Sequence, residues 1–218
     1  MKVLCLSDLH GNLPLDLPEA DLLVISGDIC PATNHKLIFQ ARWLEGAFTG
    51  WVKEIQPRFK KILACWGNHD FIGEFIMETR GNPLAAQIKL PIEFLTDELT
   101  EFDGLKIYGY PWQPPFFDWA FNAKDEKRIE LVNRIPVGTD LIIAHGPPFG
   151  YGDIGRDKKH LGCQHLNERI THVKPKLVVC GHIHPGRGVF NLDSTIVVNA
   201  SHVNEKYKPI HPPILITL

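Results

Sequence analysis

The sequence predicts a mixed α/β fold, on three observations. Short runs rich in Val, Ile and Leu recur at strand length, segments with apolar residues at three-or-four spacing fall between several of them, and polar clusters follow directly on five of the runs. The runs are 2–7, 22–26, 61–66, 105–108, 141–144, 177–180, 195–199 and 213–218. Between the second and third, Leu37, Ala41, Leu44, Phe48, Val52 and Ile55 share one face of a helix that would pack on a sheet. Residues 124–134 read as a further helix, and Leu166, Ile170 and Val173 as another, closed by Lys174 and Pro175. Strand, helix, strand order in the first half calls for parallel crossovers, and the hairpin-like later strands read as antiparallel additions. In such sheets ligands gather beyond the carboxyl ends of the strands, so the residues after each strand matter most.

The 218 residues are expected to form a single domain, 1–218, with a sizeable core. Lys and Arg number 23 against 25 Asp and Glu, a net charge of −2, which speaks against long nucleic acid or an anionic membrane as partner. The five cysteines show no CxxC spacing, which excludes a structural zinc finger. Cys5, Cys65 and Cys180 lie in apolar runs and read as small buried thiols, and an unpatterned odd count fits a reducing cytosol. The first ten residues reach Asp8 too soon for a signal-peptide core, and no run approaches 18 apolar residues, so a soluble cytoplasmic protein is expected. Histidine, at 11 copies, is in excess.

Five of those histidines stand in the polar clusters: Asp8-Leu9-His10, Gly27-Asp28, Gly67-Asn68-His69-Asp70, His145-Gly146 and Gly181-His182-Ile183-His184. In extended backbone the two-residue spacing of Asp8 with His10, and of His182 with His184, puts both side chains on one side. A lone Gly-Asp or His-Gly after a strand is ordinary turn chemistry. Consecutive ligand-type residues at the end of an apolar strand have little structural use, which sharpens the third and fifth clusters. Carboxylate, imidazole and one amide without a thiolate favour Mn2+, Fe2+ or Zn2+. Seven candidate ligands (Asp8, His10, Asp28, Asn68, His145, His182 and His184) exceed what one ion with an open position takes, and suit two ions sharing a bridging carboxylate. Two such cations would attract an anionic phosphate.

The order D-x-H, G-D, G-N-H-D, H-G, G-H-x-H, spanning residues 8 to 184, resembles the calcineurin-like metallophosphoesterase superfamily. The segments GLKIYGYPWQPPFFDWAFN (104–122), AHGPPFGYGD (144–153), LGCQHL (161–166), VNAS (198–201) and HPPILITL (211–218) are similar to its metallophosphoesterase-domain-containing branch, close to the class III cyclic nucleotide phosphodiesterases. The resemblance implies a four-layer αββα sandwich with two mixed β-sheets and a dinuclear site at one sheet edge. It also implies Asp8, His10, Asp28 and His184 on one ion and Asp28, Asn68, His145 and His182 on the other, with a bridging hydroxide attacking phosphorus in line. His69 would be the catalytic residue, donating to or stabilising the leaving alkoxide. Some members of the branch carry glycine where this chain has His182 and are poor catalysts, so a full site is expected here.

The protein Ser/Thr phosphatases of the superfamily extend the second motif to GDxxDRG, and the later aspartate orients the catalytic histidine. Here the sequence is GDICPAT with Pro31 at that place, which disfavours a protein phosphatase and leaves the partner of His69 open. Asp70 is a candidate, or else a cap for the following helix. Arg156 and Arg187 are weighed as phosphate clamps against solvated surface residues. The aromatic stretch Tyr110, Trp112, Phe116, Phe117, Trp119 and Phe121 is weighed as a nucleobase platform against core and loop packing. His35, His160, His165, His172, His202 and His211 receive no metal role, with His160 and His165 placed near the mouth of the site. The expected activity is a metal-dependent phosphodiesterase on a small nucleotide-like or cyclic nucleotide ester. The alternatives are a phosphomonoesterase or nucleotide pyrophosphatase and, from another class, a nucleotide-binding regulatory module with weak turnover.

Overall fold

The computed structural model describes residues 1–83 and 85–218. The chain opens with β1 (Lys2–Leu6) and β2 (Ala20–Ser26) and then a long helical segment made of α1 (Leu37–Trp43), a π turn (Leu44–Phe48) and α2 (Thr49–Ile55). β3 (Phe59–Cys65), α3 (Phe71–Glu78) and the two-residue β4 (Glu93–Phe94) complete this half. The second half runs β5 (Leu99–Phe102), β6 (Leu105–Tyr110), α4 (Asp125–Asn133), β7 (Leu141–Ala144), α5 (Gln164–Val173), β8 (Leu177–Cys180), β9 (Gly188–Leu192), β10 (Thr195–Asn199) and β11 (Ile214–Thr217).

Two sheets result, ordered β11-β1-β2-β3-β4 and β5-β6-β7-β8-β10-β9. Their central strands are almost wholly buried, which is why they read as continuous apolar runs without alternation. Alternate residues nevertheless serve different layers. Val3, Cys5, Leu22, Val24, Leu63 and Cys65 meet Ile107, Leu141, Ile143, Leu177, Val179 and Val198 in the layer between the sheets. Leu4, Leu6, Leu23, Ile25 and Ala64 point the other way, onto Leu44, Phe48, Trp51, Val52 and Ile55 of the first helical segment. Tyr108, Tyr110, Ile142, Ala144, Val178 and Cys180 face Leu131 and Val132 of α4 and Leu166 and Ile170 of α5. Helices, sheet, sheet, helices is the expected αββα sandwich, and each fully buried Leu, Ile or Val contributes about 1.5–3 kcal/mol by leaving water.

The expected antiparallel character of the later strands holds only at the margins. β5, β9 and β11 pair antiparallel, whereas β6, β7, β8 and β10 are parallel: α4 and α5 supply the crossovers from β6 to β7 and from β7 to β8, and the chain reaches β10 through β9. All five cysteines are free and buried. Among the described residues no helix is long and apolar enough to cross a membrane.

Beyond the carboxyl ends of the parallel strands the two sheets are stitched together. Ser7, just past β1, donates its N–H to the Ala200 carbonyl at 3.1 Å and accepts from the His202 N–H at 2.8 Å. His145, past β7, reaches the Ser26 carbonyl of β2 at 3.0 Å. Strand ends from both sheets thereby open on one edge, and the five polar clusters meet there.

Candidate metal centre and active site

The clusters converge, but not through the extended backbone that the two-residue spacing suggested. Asp8, His10, Asp28 and His182 all adopt positive φ, between 45° and 64°, and His184 begins a short 3-10 turn. The left-handed region is costly for non-glycine residues and persists only where surroundings impose it. Asp8 and His10 do share a centre, together with His184. His182 and His184 diverge: His182 Nδ1 lies 2.7 Å from Asn68 Oδ1, and His184 Nε2 lies 3.4 Å from Asp8 Oδ1. Asp28 stands between the two groups, with Oδ2 3.5 Å from His10 Nε2 and Oδ1 3.5 Å from His145 Nε2. His69 also offers a ring nitrogen to the group formed by His10 and Asp28. Glycine is required at two places here. A Cβ on Gly181 would overlap Ser7 Oγ and Asp8 Oδ2, and one on Gly27, at φ +89°, would sit 2.5 Å from His145 Nδ1.

The donor set fits cations. His145 Nδ1 donates to the Ser26 carbonyl and His184 Nδ1 to the Asn204 carbonyl, so each ring, in the neutral form that binds a metal, would turn an Nε2 lone pair toward the centre. That lone pair on His145 faces Asn68 Oδ1, itself an acceptor, at 2.8 Å. Both ring nitrogens of His10 are buried without a hydrogen-bond partner among the described residues. Burial, with Asp70 and Asp8 close by, pushes the Asp28 carboxyl well above the usual carboxylate range. Burial raises Asp8 too, but His184, His145 and His10 outweigh it and hold Asp8 below that range. Burial brings His69 and His182 down to about 3, leaving neutral imidazoles. Acceptors and buried carboxylates collected in this way are the surroundings that a divalent cation relieves.

Several residues that carry the site lay outside the sequence reading. The Ser201 hydroxyl donates to Asp8 Oδ2 at 2.7 Å while the His182 N–H holds both Asp8 oxygens. Asn199 Nδ2 donates to the Gly152 and Ile183 carbonyls at 2.8 and 2.9 Å, fixing the fifth cluster against the loop after the fourth. Buried Gln40 of α1 bridges the His69 carbonyl and the Ile72 N–H. Asp70 holds the N-cap position of α3, but its side chain makes no capping hydrogen bond and, among the described residues, none to the His69 ring. Its carboxylate accepts from Ile29, Cys30 and Gly67 N–H groups at 2.8–3.2 Å, pinning the second cluster to the third. The His69 ring meets His35 instead, Nδ1 to Nε2 at 3.0 Å.

Above the centre lies a cavity of about 150 Å3 lined by Asp28, Asn68, His69, Phe116, Trp119, His182, His184 and Tyr207. Of the predicted aromatic platform, Trp119 and Phe116 reach it; Tyr110 and Phe121 are core. Tyr207, at φ +56°, overhangs the centre with its ring 4.6 Å from His10 and 5.8 Å from His184. Neither arginine lines this cavity, but Arg156 lines an adjoining one that shares His182, His184 and Tyr207 with it. Arg156 pairs with Glu205, and Arg187 donates to the Ser201 and Pro212 carbonyls. His160 is bound to Asp153 and His165 lies in a groove between α4 and α5, so neither reaches the cavity.

Fold and donor set together define a metal-dependent phosphoester hydrolase. The sequence pattern of the calcineurin-like phosphoesterase family matches residues 1–186, and the chain belongs to that family, whose fold implies a dinuclear divalent metal site. It is 33% identical to human metallophosphoesterase domain-containing protein 1, over 100% of this chain and 71% of the relative. An uncharacterized protein of Methanocaldococcus jannaschii is 26% identical over 92% of this chain and 88% of its own length. Among solved structures, TT1561 of Thermus thermophilus shares the fold with a TM-score of 0.58 at 14% identity, covering 91% of this chain and 88% of that one. GAP50, the anchor in the inner membrane complex of Plasmodium, does so with 0.57 at 12% identity, covering 93% and 71%.

Proposed function

We propose that the protein is a phosphodiesterase acting on a small, nucleotide-like or cyclic nucleotide ester. Asp8, His10, Asp28 and His184 would hold one ion and Asp28, Asn68, His145 and His182 the other, with Asp28 as the bridge. Bound there, two divalent ions supply Lewis acidity toward a phosphoryl oxygen and lower the pKa of water. The chain's own groups do the rest. The Ser201 hydroxyl and His182 N–H hold Asp8, the Ser26 and Asn204 carbonyls fix two imidazole tautomers, and His69 lines the cavity where the leaving oxygen would lie.

The preference for a diester rests on the character of the cavity. Its walls above the ligands are Phe116, Trp119 and Tyr207, with no lysine or arginine among the described residues. A diester carries one negative charge and an organic group on each side of phosphorus, which suits two cations and aromatic walls. A monoester dianion brings a further charge, and the arginine of the adjoining cavity, Arg156, is already paired with Glu205. A metal-defined preparation tested on bis(p-nitrophenyl) phosphate, 2′,3′- and 3′,5′-cyclic nucleotides, p-nitrophenyl phosphate and a dinucleotide pyrophosphate decides the question. The proposal expects diester rates to exceed the others. Faster monoester or pyrophosphate hydrolysis would replace it with the corresponding activity, and tight nucleoside monophosphate retention with negligible rates would indicate a regulatory binding module.

A further inference from the structure

Pro31 leaves no carboxylate at the place where the superfamily's protein phosphatases keep one for the catalytic histidine, and Asp70 is occupied by three backbone N–H groups. His69 nevertheless has a partner. His35, in the segment leading into α1, sets its Nε2 3.0 Å from His69 Nδ1. The pair is boxed in by aromatic rings: Trp119 lies over His69 with centroids 4.2 Å apart and meets His35 edge-on at 5.0 Å, and Phe71 closes the other side of His35 at 5.3 Å. Two ring nitrogens 3.0 Å apart share one proton between them, so one ring donates and the other accepts.

The direction of that bond decides what His69 presents to the cavity. If His69 donated from Nδ1, its Nε2 would carry a lone pair, fit for a metal or a base. If His35 donates from Nε2, His69 Nδ1 accepts and the His69 proton resides on Nε2. The second arrangement places both rings in the Nε2–H tautomer, the favoured form of neutral histidine. A carboxylate partner would accept from Nδ1 and favour an imidazolium; a neutral imidazole that donates to Nδ1 does neither.

We propose that His35 is a positioning residue that donates its Nε2–H to His69 Nδ1, fixing His69 as a neutral donor whose Nε2–H faces the leaving oxygen. The inference rests on the reading of His69 as the group that answers the leaving oxygen. An Nε2–H donor aimed where negative charge develops matters most when the leaving group is a poor one.

The test compares His35→Leu, His35→Gln, whose amide N–H has similar reach, His69→Ala and the double variant His35→Leu/His69→Ala, each confirmed by unchanged metal content and thermal midpoint. With an alkyl diester, His35→Leu is expected to lower kcat about tenfold at unchanged KM. With bis(p-nitrophenyl) phosphate the loss should be under about twofold, because that leaving group needs little help. His35→Gln should restore most of the alkyl-ester rate, and His35→Leu should cost nothing further in the His69→Ala background. In the Zn2+-loaded protein, 15N NMR should show His69 Nε2 protonated and Nδ1 bare, with that preference lost in His35→Leu. Additive losses, a His35→Gln protein as slow as His35→Leu, or a proton on His69 Nδ1 would each overturn the proposal. A His69→Ala protein as fast as wild type would instead overturn the role given to His69, and the NMR tautomer would still decide whether His35 donates.

Discussion

Asn68 Oδ1 and His145 Nε2 stand 2.8 Å apart with an acceptor on each side, because His145 already gives its Nδ1 proton to the Ser26 carbonyl. His182 Nδ1 meets the same oxygen at 2.7 Å, and Asp28 Oδ1 lies 3.5 Å from His145 Nε2. Replacing Asn68 removes the oxygen that His145 and His182 both meet. Asn68→Ala is expected to bind one divalent ion per chain in place of two and to lose about 100-fold or more in diester hydrolysis. Elemental analysis of the dialysed protein, read beside kcat, checks this, and two ions retained at full activity would contradict it.

Metal binding should also be visible as stability. Buried carboxylates and unpartnered imidazole nitrogens favour the folded chain once cations answer them, and a ligand at 100 times its Kd adds about 2.7 kcal/mol. For a domain of this size that corresponds to a rise of roughly 5–10 °C in thermal midpoint on adding Mn2+ to chelator-treated protein. His10→Ala removes a ligand whose two nitrogens have no hydrogen-bond partner among the described residues, so the rise should shrink in that variant while the metal-free midpoint stays near wild type. Scanning calorimetry with and without Mn2+ is the measurement.

Much of this centre was legible in the chain because side chains such as Asn68, His69, His182 and His184 at the ends of buried strands have no structural use to explain them. The αββα layering was legible for a related reason: strands buried on both faces leave unbroken apolar runs. What escaped was non-local or short. His35 lies 34 residues from His69 and no spacing links the two. β4 is two residues long, and β5 and β9 are edge strands with exposed alternate residues that do not form an apolar run. The positive φ angles of Asp8, His10, Asp28 and His182 go with backbone bonds between the segments that follow separate strands, such as the Asp8 N–H to the Gly27 carbonyl, and no local pattern announces them.

Asp70 is expected to be a stability residue. Its two oxygens answer three buried N–H groups, and an amide can offer only one oxygen while bringing two protons toward those donors. Asp70→Asn should cost about 2–4 kcal/mol, seen as a lower urea midpoint, from N–H groups left unsatisfied. A midpoint within error of wild type would show that the two loops do not depend on this carboxylate.

Asp97 gives a pH signature away from the metal centre. Burial raises its carboxyl pKa despite the bond from Trp112 Nε1 at 2.9 Å and the Arg134 guanidinium at 3.9 Å. The folded protein therefore keeps this proton at pH values where the unfolded chain has released it. This group's contribution to stability falls as pH rises from the unfolded pKa near 3.8 through the higher folded one. Asp97→Asn mimics the protonated side chain and still accepts from Trp112. The variant should match wild type below about pH 4 and exceed it in urea midpoint at pH 7. A less stable variant at pH 7 would mean that the ion pair with Arg134 outweighs burial.

The central claim, hydrolysis by a pair of ions held on Asp28, is tested most directly by titrating chelator-treated protein with Mn2+ while following bis(p-nitrophenyl) phosphate hydrolysis. The account predicts that activity climbs mainly with the second equivalent and levels off at two ions per chain, and that Asp28→Asn abolishes it. Full activity at one equivalent or without metal, or an Asp28→Asn protein that turns over like wild type, would contradict it.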